Sequence, residues 1–252
     1  MSDLEQSFRA TPPTPEEFLS ERYIGSIANY LFPHIREAFI ETFKEGKKHV
    51  VLVPDIGWGR SMYVVLCNLY LNVLFAYEAY PNSDTPLFEQ TQVILVPKKH
   101  FEELVVSDYL RVLEESEFFR EVDYDTYVYY SRKHLITHAE PLALYYTRES
   151  KKYQFRFSSG IDILITDDPK DMVGLNSISI DITETDYYDT MRKDAEYVEK
   201  LHSNCIGRCD MRYGAHPQYG MTFLHLYKDY HPEIMKPYLF DLQEYDKVKI
   251  IR

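Results

Sequence analysis

The sequence predicts an α/β protein with a mainly parallel sheet, helices on both faces of that sheet, and a hairpin at one edge. Short runs rich in valine and isoleucine alternate with longer helical patterns, which is the rhythm of strand–helix–strand units. Each run is too apolar to have one face in water, as expected for strands covered on both sides. The runs are HVVLVP (49–54), QVILVP (92–97), ISIDI (178–182) and MTFLHLY (221–227).

The domain is predicted to begin at residue 15, after a polar segment that we expect to be a flexible lead-in over residues 1–14. Thr14 can cap a short helix, because Pro15 suits the first helical position and Glu16 and Glu17 suit the first turn. A chain of 252 residues can bury a sizeable core and could form one large α/β domain or two small ones. We predict one domain over 15–252.

Four further segments have helical patterns. An amphipathic helix is predicted over Pro33 to Lys44, with Ile35, Phe39 and Phe43 on its apolar face and a C-cap at Gly46. The other predicted helices are an apolar one from Ser61 through residues 62–77, an amphipathic one around 98–115, and one from about 188 to 202.

One segment departs from the strand–helix rhythm. KYQFRF (152–157) alternates polar with apolar residues and is followed by a Ser-Ser-Gly turn and then IDILIT (161–166). This pattern predicts an antiparallel hairpin that joins an edge of the sheet. The tyrosine-rich stretch over 123–150 has no pattern that assigns an element.

Composition limits the classes of function. The chain has 28 basic and 40 acidic residues, a net charge of −12, which opposes nonspecific adhesion to nucleic acid or anionic membranes. Its odd set of three cysteines, with no secretory signal before them, indicates a reducing compartment. The apolar stretch 62–77 is shorter than a membrane span and favours a buried helix.

The stretch VVLVPDIGWGRS (50–61) is typical of a phosphate-binding loop between a buried strand and a helix. Gly59 and Ser61 match that frame, whereas Pro54 replaces its first glycine and Arg60 replaces its lysine. An ordinary turn between a strand and a helix fits the same letters. The loop residues that we assign to nucleotide binding are Asp55, Ile56, Gly57, Trp58, Gly59, Arg60 and Ser61.

A second candidate constellation is GLNSISIDITETDYYD (174–189), in which a buried strand ends in acids. Nucleotide-hydrolysing folds place a magnesium-linked acid and a water-orienting glutamate at such a strand end. By the two-residue period of a strand, Asp181 and Thr183 share one face and Glu184 lies on the other. A strand end with solvated acids is the alternative interpretation.

These segments together resemble, over roughly residues 17–230, the ATPase domain of the large terminase subunit. That subunit is the DNA-packaging motor of tailed bacteriophages and related viruses. The resemblance implies a P-loop NTPase-like fold, and its most specific part is the block 174–189. The other matching segments are FLSERYIG (18–25), LFPHIRE (31–37), VILVPKKHFEEL (93–104), YQFRFSSGIDILITDD (153–168) and GMTFLHLYK (220–228).

The resemblance implies roles for individual positions. Arg60 takes the place of the phosphate-gripping lysine, Ser61 that of the magnesium hydroxyl, and Glu184 that of the catalytic glutamate. Thr183 stands where the family has the magnesium-linked aspartate, for which Asp181 could substitute from two residues back. Ile35 stands where a glutamine reads adenine.

The remaining implied roles concern the motif that couples hydrolysis to movement and the arginine finger. Leu224 and His225 fall in the coupling motif, where the family prefers small hydroxyl residues. Arg208 falls where the family carries an arginine, whereas Arg132 and Arg148 are better read as surface residues. His202, Cys205 and Cys209 lack a fourth ligand, so we interpret them as a helix end with buried thiols.

For the whole chain, the resemblance implies ATP and Mg²⁺ as cofactors and hydrolysis that drives DNA into a procapsid. The implied partners are double-stranded DNA through the assembled motor, the portal and the small terminase subunit. A homo-oligomeric ring in the host cytoplasm, without membrane association, is expected. The family's nuclease domain has no counterpart within 15–252, so we expect no DNA cutting.

Four departures from the family pattern, at Ile35, Arg60, Thr183 and His225, leave the chemistry open. The chain is therefore either a weakly hydrolysing ATPase or a non-catalytic scaffold or regulatory module of a packaging assembly. A helicase-like or other P-loop ATPase unrelated to packaging is a third alternative.

Overall fold

A parallel sheet with one antiparallel edge organises the described part of this computed structural model. It comprises residues 11–44, 49–52, 57–79, 90–96, 99–119, 144–147, 152–156, 161–183, 219–225 and 248–251, with 197, 200, 201, 203, 204, 207 and 208. The strands are β1 His49–Leu52, β2 Gln90–Leu95, β3 Leu144–Thr147, β4 Lys152–Arg156, β5 Ile161–Thr166, β6 Ser177–Ile182, β7 Met221–His225 and β8 Val248–Ile251.

The strand order is β3-β4-β5-β2-β6-β7-β1-β8. From β5 to β8 every neighbouring pair is parallel, whereas β3 and β4 pair antiparallel. The predicted α/β class with a mainly parallel sheet is confirmed.

The helices with described bounds are α1 Pro15–Phe18, α2 Glu21–Ile24, α3 Ile27–Tyr30, α4 Pro33–Lys44, α5 Arg60–Ala79 and α6 Lys99–Glu115. A short 3₁₀ turn covers Pro169–Met172. The predicted cap of α1 is confirmed: the Thr14 hydroxyl accepts from the Glu17 N–H, and the Glu17 carboxylate accepts from the Thr14 N–H.

Helix α5 covers one face of the sheet. Its side chains from Tyr63 to Phe75 are buried, as predicted, and the helix packs against α4 and α6. Below it lies a row of buried residues that are registered partners across the sheet, apolar except for Asp181: Ile165, Ile94, Asp181, Phe223 and Val50. The alternating residues Val93, Leu95, Ile180 and Ile182 are also fully buried, so the opposite face is covered as well. Among the described helices none is long and apolar enough to cross a membrane.

The predicted hairpin is confirmed by the antiparallel pairing of β4 with β5. Strand β5 also pairs in parallel with β2, so the hairpin joins the sheet through its second strand. Strand β3 pairs outside β4 and comes from the stretch for which the sequence assigned no element.

Close packing holds the α2–α3 corner against the end of α6. Gly25 has φ +62°, and a β-carbon there would overlap the side chain of Glu115 and approach its backbone carbon to 2.9 Å. The next residue, Ser26, donates its N–H to the Glu115 carboxylate at 2.9 Å, and its hydroxyl donates to the same oxygen. Glycine is therefore required at position 25, both by conformation and by space.

Several predictions concern residues outside the described part. They include residues 1–10 of the lead-in, the cap at Gly46, the hairpin turn at 158–160 and most of the helix from 188 to 202. Within the lead-in, Pro13 is buried, and its carbonyl accepts from the Tyr70 hydroxyl at 2.9 Å. The chain is thus held against α5 from residue 13.

Candidate functional site

The parallel strands all have their carboxyl ends on the same side of the sheet. At two places between neighbouring strands, the direction in which the chain continues across the sheet is reversed. The strand that follows β1 lies on one side of it, whereas the strand that follows the adjacent β7 lies on the other. The same reversal occurs between β2 and β6. Such switch points are where open α/β sheets bind ligands. The predicted loop follows β1, and of the predicted acid-bearing segment Asp181 lies within β6 and Thr183 directly follows it.

The described part of the loop is a glycine turn that starts α5. Gly57 and Gly59 have φ +82° and +89°, and the helix begins at Arg60. The Tyr63 N–H donates to the Gly59 carbonyl at 3.2 Å, which forms the first turn. Because the first N–H groups of a helix have no partner within it, this end favours an anion. Asp55 and Ile56 lie outside the described residues.

Helix α4 packs against the loop through His34 and Ile35. A ring nitrogen of His34 donates to the Trp58 carbonyl at 2.7 Å, and the two rings lie 5.3 Å apart. Ile35 is only 1% exposed and lies against Gly59. Ile35 is therefore brought to the loop as an apolar support, and it has no group that could hydrogen-bond a base.

The Ser61 side chain contacts α6. Its hydroxyl donates to the Asp108 carboxylate at 2.6 Å. Burial raises the pKa of Asp108 above its usual range, against the lowering effects of the Ser61 hydrogen bond and the Arg111 charge. Asp108 was not identified from the sequence. The available signal was its position in a predicted amphipathic helix next to Val105 and Tyr109, both of which are buried.

Asp181 and Thr183 both lie in the interior. Asp181 is fully buried in the row that faces α5, between Ile94 and Phe223. Thr183 is also fully buried, and both its N–H and its hydroxyl donate to the Leu95 carbonyl, at 3.0 and 2.9 Å. The Thr183 side chain is therefore used to extend the pairing between β6 and β2.

The charge of Asp181 acts on three buried groups around it. Burial is the main cause that raises the pKa of Tyr63, Cys67 and Tyr109, and the Asp181 charge raises each of them further. The Tyr63 hydroxyl also meets the Thr42 hydroxyl at 2.6 Å. These groups stay protonated at neutral pH, so Cys67 is not a thiolate nucleophile.

A buried polar network ties α5 to the strands beneath it. The Ser179 hydroxyl donates to the Asn68 side-chain oxygen at 3.0 Å, and the Gln92 amide donates to the Asn68 carbonyl at 2.8 Å. The Asn68 amide donates in turn to the Val64 carbonyl. The helix that starts at the loop is thereby placed in a fixed register with the acid-bearing strand.

Arg208 is not brought to the loop. It is exposed, and its guanidinium donates to the Leu175 carbonyl at 3.4 Å, just before β6 begins. That carbonyl lies at the amino end of the strand, whereas the loop lies at the carboxyl ends. Glu184, Arg132, Arg148, His202, Cys205 and Cys209 are outside the described residues, and of Leu224 and His225 only the backbone in β7 is described.

Across the described ranges no group of three or more histidine, cysteine or acidic side chains could hold a metal ion. What the fold and site define is an α/β protein with a glycine turn and a helix start at a switch point of a parallel sheet. Comparison of the chain with family models, with curated proteins and with solved structures finds no match.

Proposed function

We propose that this chain is a nucleotide-binding domain of a viral genome-packaging assembly, of the large terminase ATPase kind. The observation that supports nucleotide binding is the strand–loop–helix unit from β1 to α5, with Gly57, Gly59 and the α5 start at a switch point. The positive end of a 20-residue helix favours a phosphate at this place. The nearby Arg60 adds a positive charge. The packaging assembly is proposed from the sequence resemblance.

The strand order supports the same proposal. One strand, β7, separates the loop strand β1 from the acid-bearing β6. The ends of β1 and β6 therefore lie near each other at the carboxyl ends of the strands, where open α/β sheets bind ligands. Since many activities occur on one fold, the order supports a nucleotide site, and the chemistry depends on the site residues.

Two of the residues proposed for catalysis are buried or already hydrogen-bonded. The Thr183 hydroxyl is bound to the Leu95 carbonyl, and Asp181 is buried beneath α5. Neither side chain is presented to a nucleotide at the edge of the sheet. These positions favour, as a second candidate, a module that binds nucleotide and serves as a scaffold or regulator without efficient hydrolysis.

The proposed ligand is ATP with Mg²⁺, and the proposed partners are those of a packaging motor: portal, small terminase subunit and further copies in a ring. With a net charge of −12, the isolated chain should bind double-stranded DNA weakly and with steep salt dependence. DNA contact is therefore proposed for the assembled motor, on a procapsid in the host cytoplasm.

Trp58 provides a direct test, because it is the one tryptophan of the chain and lies in the loop. ATP and tripolyphosphate, each with Mg²⁺, should change its fluorescence in a saturable way. Arg60→Ala should weaken both by about tenfold or more, as expected for a lost charged hydrogen bond. Lys200→Ala, which removes an exposed positive charge elsewhere, should bind as wild type does.

Phosphate release then separates the two candidates. Turnover that falls with Glu184→Gln indicates an ATPase, whereas binding without turnover, also beside the partner subunits, indicates the non-catalytic module. If wild type binds neither ATP nor tripolyphosphate, the nucleotide site is refuted. Binding that is unchanged in Arg60→Ala would refute the assignment of the loop.

A further inference from the structure

We propose that Asp108 is the carboxylate that positions Ser61 for the divalent cation of a bound nucleotide. The inference rests on the proposed function and deepens it. It assigns to α6 a role that the resemblance would give to the end of β6.

The contact between the two side chains has the geometry that this role needs. The Ser61 hydroxyl has one proton, which it donates to Asp108 at 2.6 Å, and two oxygen lone pairs. Donation to a fixed acceptor leaves the lone pairs available for a cation. Ser61 is in the first turn of α5, next to the glycine turn, so a cation on its oxygen would lie beside phosphates held there.

Among the described residues at the end of β6, neither Thr183 nor Asp181 is well placed for the task. Thr183 carries no charge, and its hydroxyl donates to the Leu95 carbonyl. Asp181 is fully buried among Tyr63, Cys67 and Tyr109, whose pKa values it raises. Asp108 is partly exposed, so it can meet a cation that arrives with its ligand from solvent.

The donor chemistry fits magnesium. This ion prefers oxygen ligands, keeps several waters, and is usually held by one or two carboxylates together with substrate phosphates. A carboxylate that hydrogen-bonds to a metal ligand and orients it also contributes to metal affinity. Loss of such a carboxylate typically lowers metal affinity 10–100-fold.

Arg111 is the cation whose charge acts on Asp108, and it does not fill this role. Arg111, one turn along α6, acts on Asp108 only through its charge. Its guanidinium lies 5.0 Å from the centre of the Tyr30 ring and 3.7 Å from the Glu115 carboxylate. Arg111 is thus directed toward α3 and the end of α6.

The experiment measures how much Mg²⁺ strengthens ATP binding, as the ratio of affinities with Mg²⁺ and with a chelator, read from Trp58 fluorescence. Asp108→Asn should lower this ratio by about 10–100-fold while metal-free ATP binding changes little. Ser61→Ala should lower it as well, and Ser61→Thr should restore it. Glu114→Gln, which removes an exposed charge from the same helix, should leave the ratio at the wild-type value.

The double variant decides whether Asp108 acts through Ser61. If it does, Ser61→Ala with Asp108→Asn should lower the ratio no further than Ser61→Ala alone. Losses that add in full, or a wild-type ratio in Asp108→Asn, overturn the proposal. A loss of thermal stability with an unchanged ratio identifies a purely structural tie between α5 and α6 and also overturns it. If wild type binds neither ATP nor tripolyphosphate, the nucleotide site itself fails, which is a distinct result.

Discussion

Ile35 packs so closely against Gly59 that a β-carbon at Gly59 would lie 2.5 Å from the Cδ1 atom of Ile35. Gly59 also has φ +89°, a conformation that L side chains rarely adopt. Backbone conformation and space therefore both require glycine. The loop and α4 form one packed unit, because the neighbouring His34 also holds the Trp58 carbonyl.

Gly59→Ala should destabilise the fold more than Gly57→Ala. Both substitutions incur a left-handed backbone cost of about 1–2 kcal/mol, but at Gly57 no heavy atom lies within 4 Å of the added carbon. Ile35→Val removes the clashing Cδ1 atom, so the pair Gly59→Ala with Ile35→Val should recover the difference. Denaturant unfolding measures each term. Equal costs at the two glycines would contradict the role of Ile35.

Thr183→Asp restores the acid that the resemblance places at this position, yet we expect it to be harmful. The new carboxylate would be fully buried and would face the Leu95 carbonyl, which accepts hydrogen bonds and donates none. An uncompensated buried charge costs about 3–5 kcal/mol. Thermal unfolding should show the loss, and phosphate release should show no gain. Thr183→Val, which keeps the shape and removes the hydroxyl, should cost only about 1 kcal/mol.

The buried pair of Asn68 and Ser179 should be strongly coupled. Asn68→Leu leaves the Ser179 hydroxyl without its acceptor, at a cost of about 1–3 kcal/mol. Adding Ser179→Ala removes the orphaned group, so the double variant should be more stable than Asn68→Leu alone. The Gln92 contact serves as an internal control because it uses the Asn68 backbone carbonyl, which both variants retain. Additive losses in a double-mutant cycle would contradict the coupling.

Local patterns were sufficient to predict most of the fold. The β-branched runs and the helical spacing of Ile35, Phe39 and Phe43 are properties of neighbouring residues, and the structure has strands and helices at these places. Strand β3 was missed because Leu144–Thr147 owes its extended form to pairing with β4, which its own sequence does not encode.

The candidate site was less accessible to sequence reasoning because its contacts join distant residues. Ser61 and Asp108 are 47 positions apart, and Thr183 and Leu95 are 88 apart. Spacing within a motif contains no information about such partners. The strand that ends in acids was correctly predicted as a strand. Whether an acid in it is buried or reaches a ligand depends on how α5 covers β6.

Glu115 should make stability depend on pH in the acid range. Its pKa lies below the usual value, chiefly because the Ser26 hydroxyl donates to the carboxylate, with a further contribution from the Ser26 N–H. Since the folded state favours the charged form, this stabilisation is present above the unfolded pKa of about 4.3 and disappears as the pH falls through the lower folded value. Glu115→Gln should therefore lower the free energy of unfolding at pH 7 by about 1 kcal/mol. The loss is small because Glu115 is partly exposed and solvent screens its charge. The difference from wild type should shrink toward zero as the pH falls below about 4.

Glu114→Gln, an exposed neighbour, should change stability by less than about 0.5 kcal/mol. A deficit in Glu115→Gln that grows on acidification would show that the Ser26 hydrogen bonds do not stabilise the charged carboxylate.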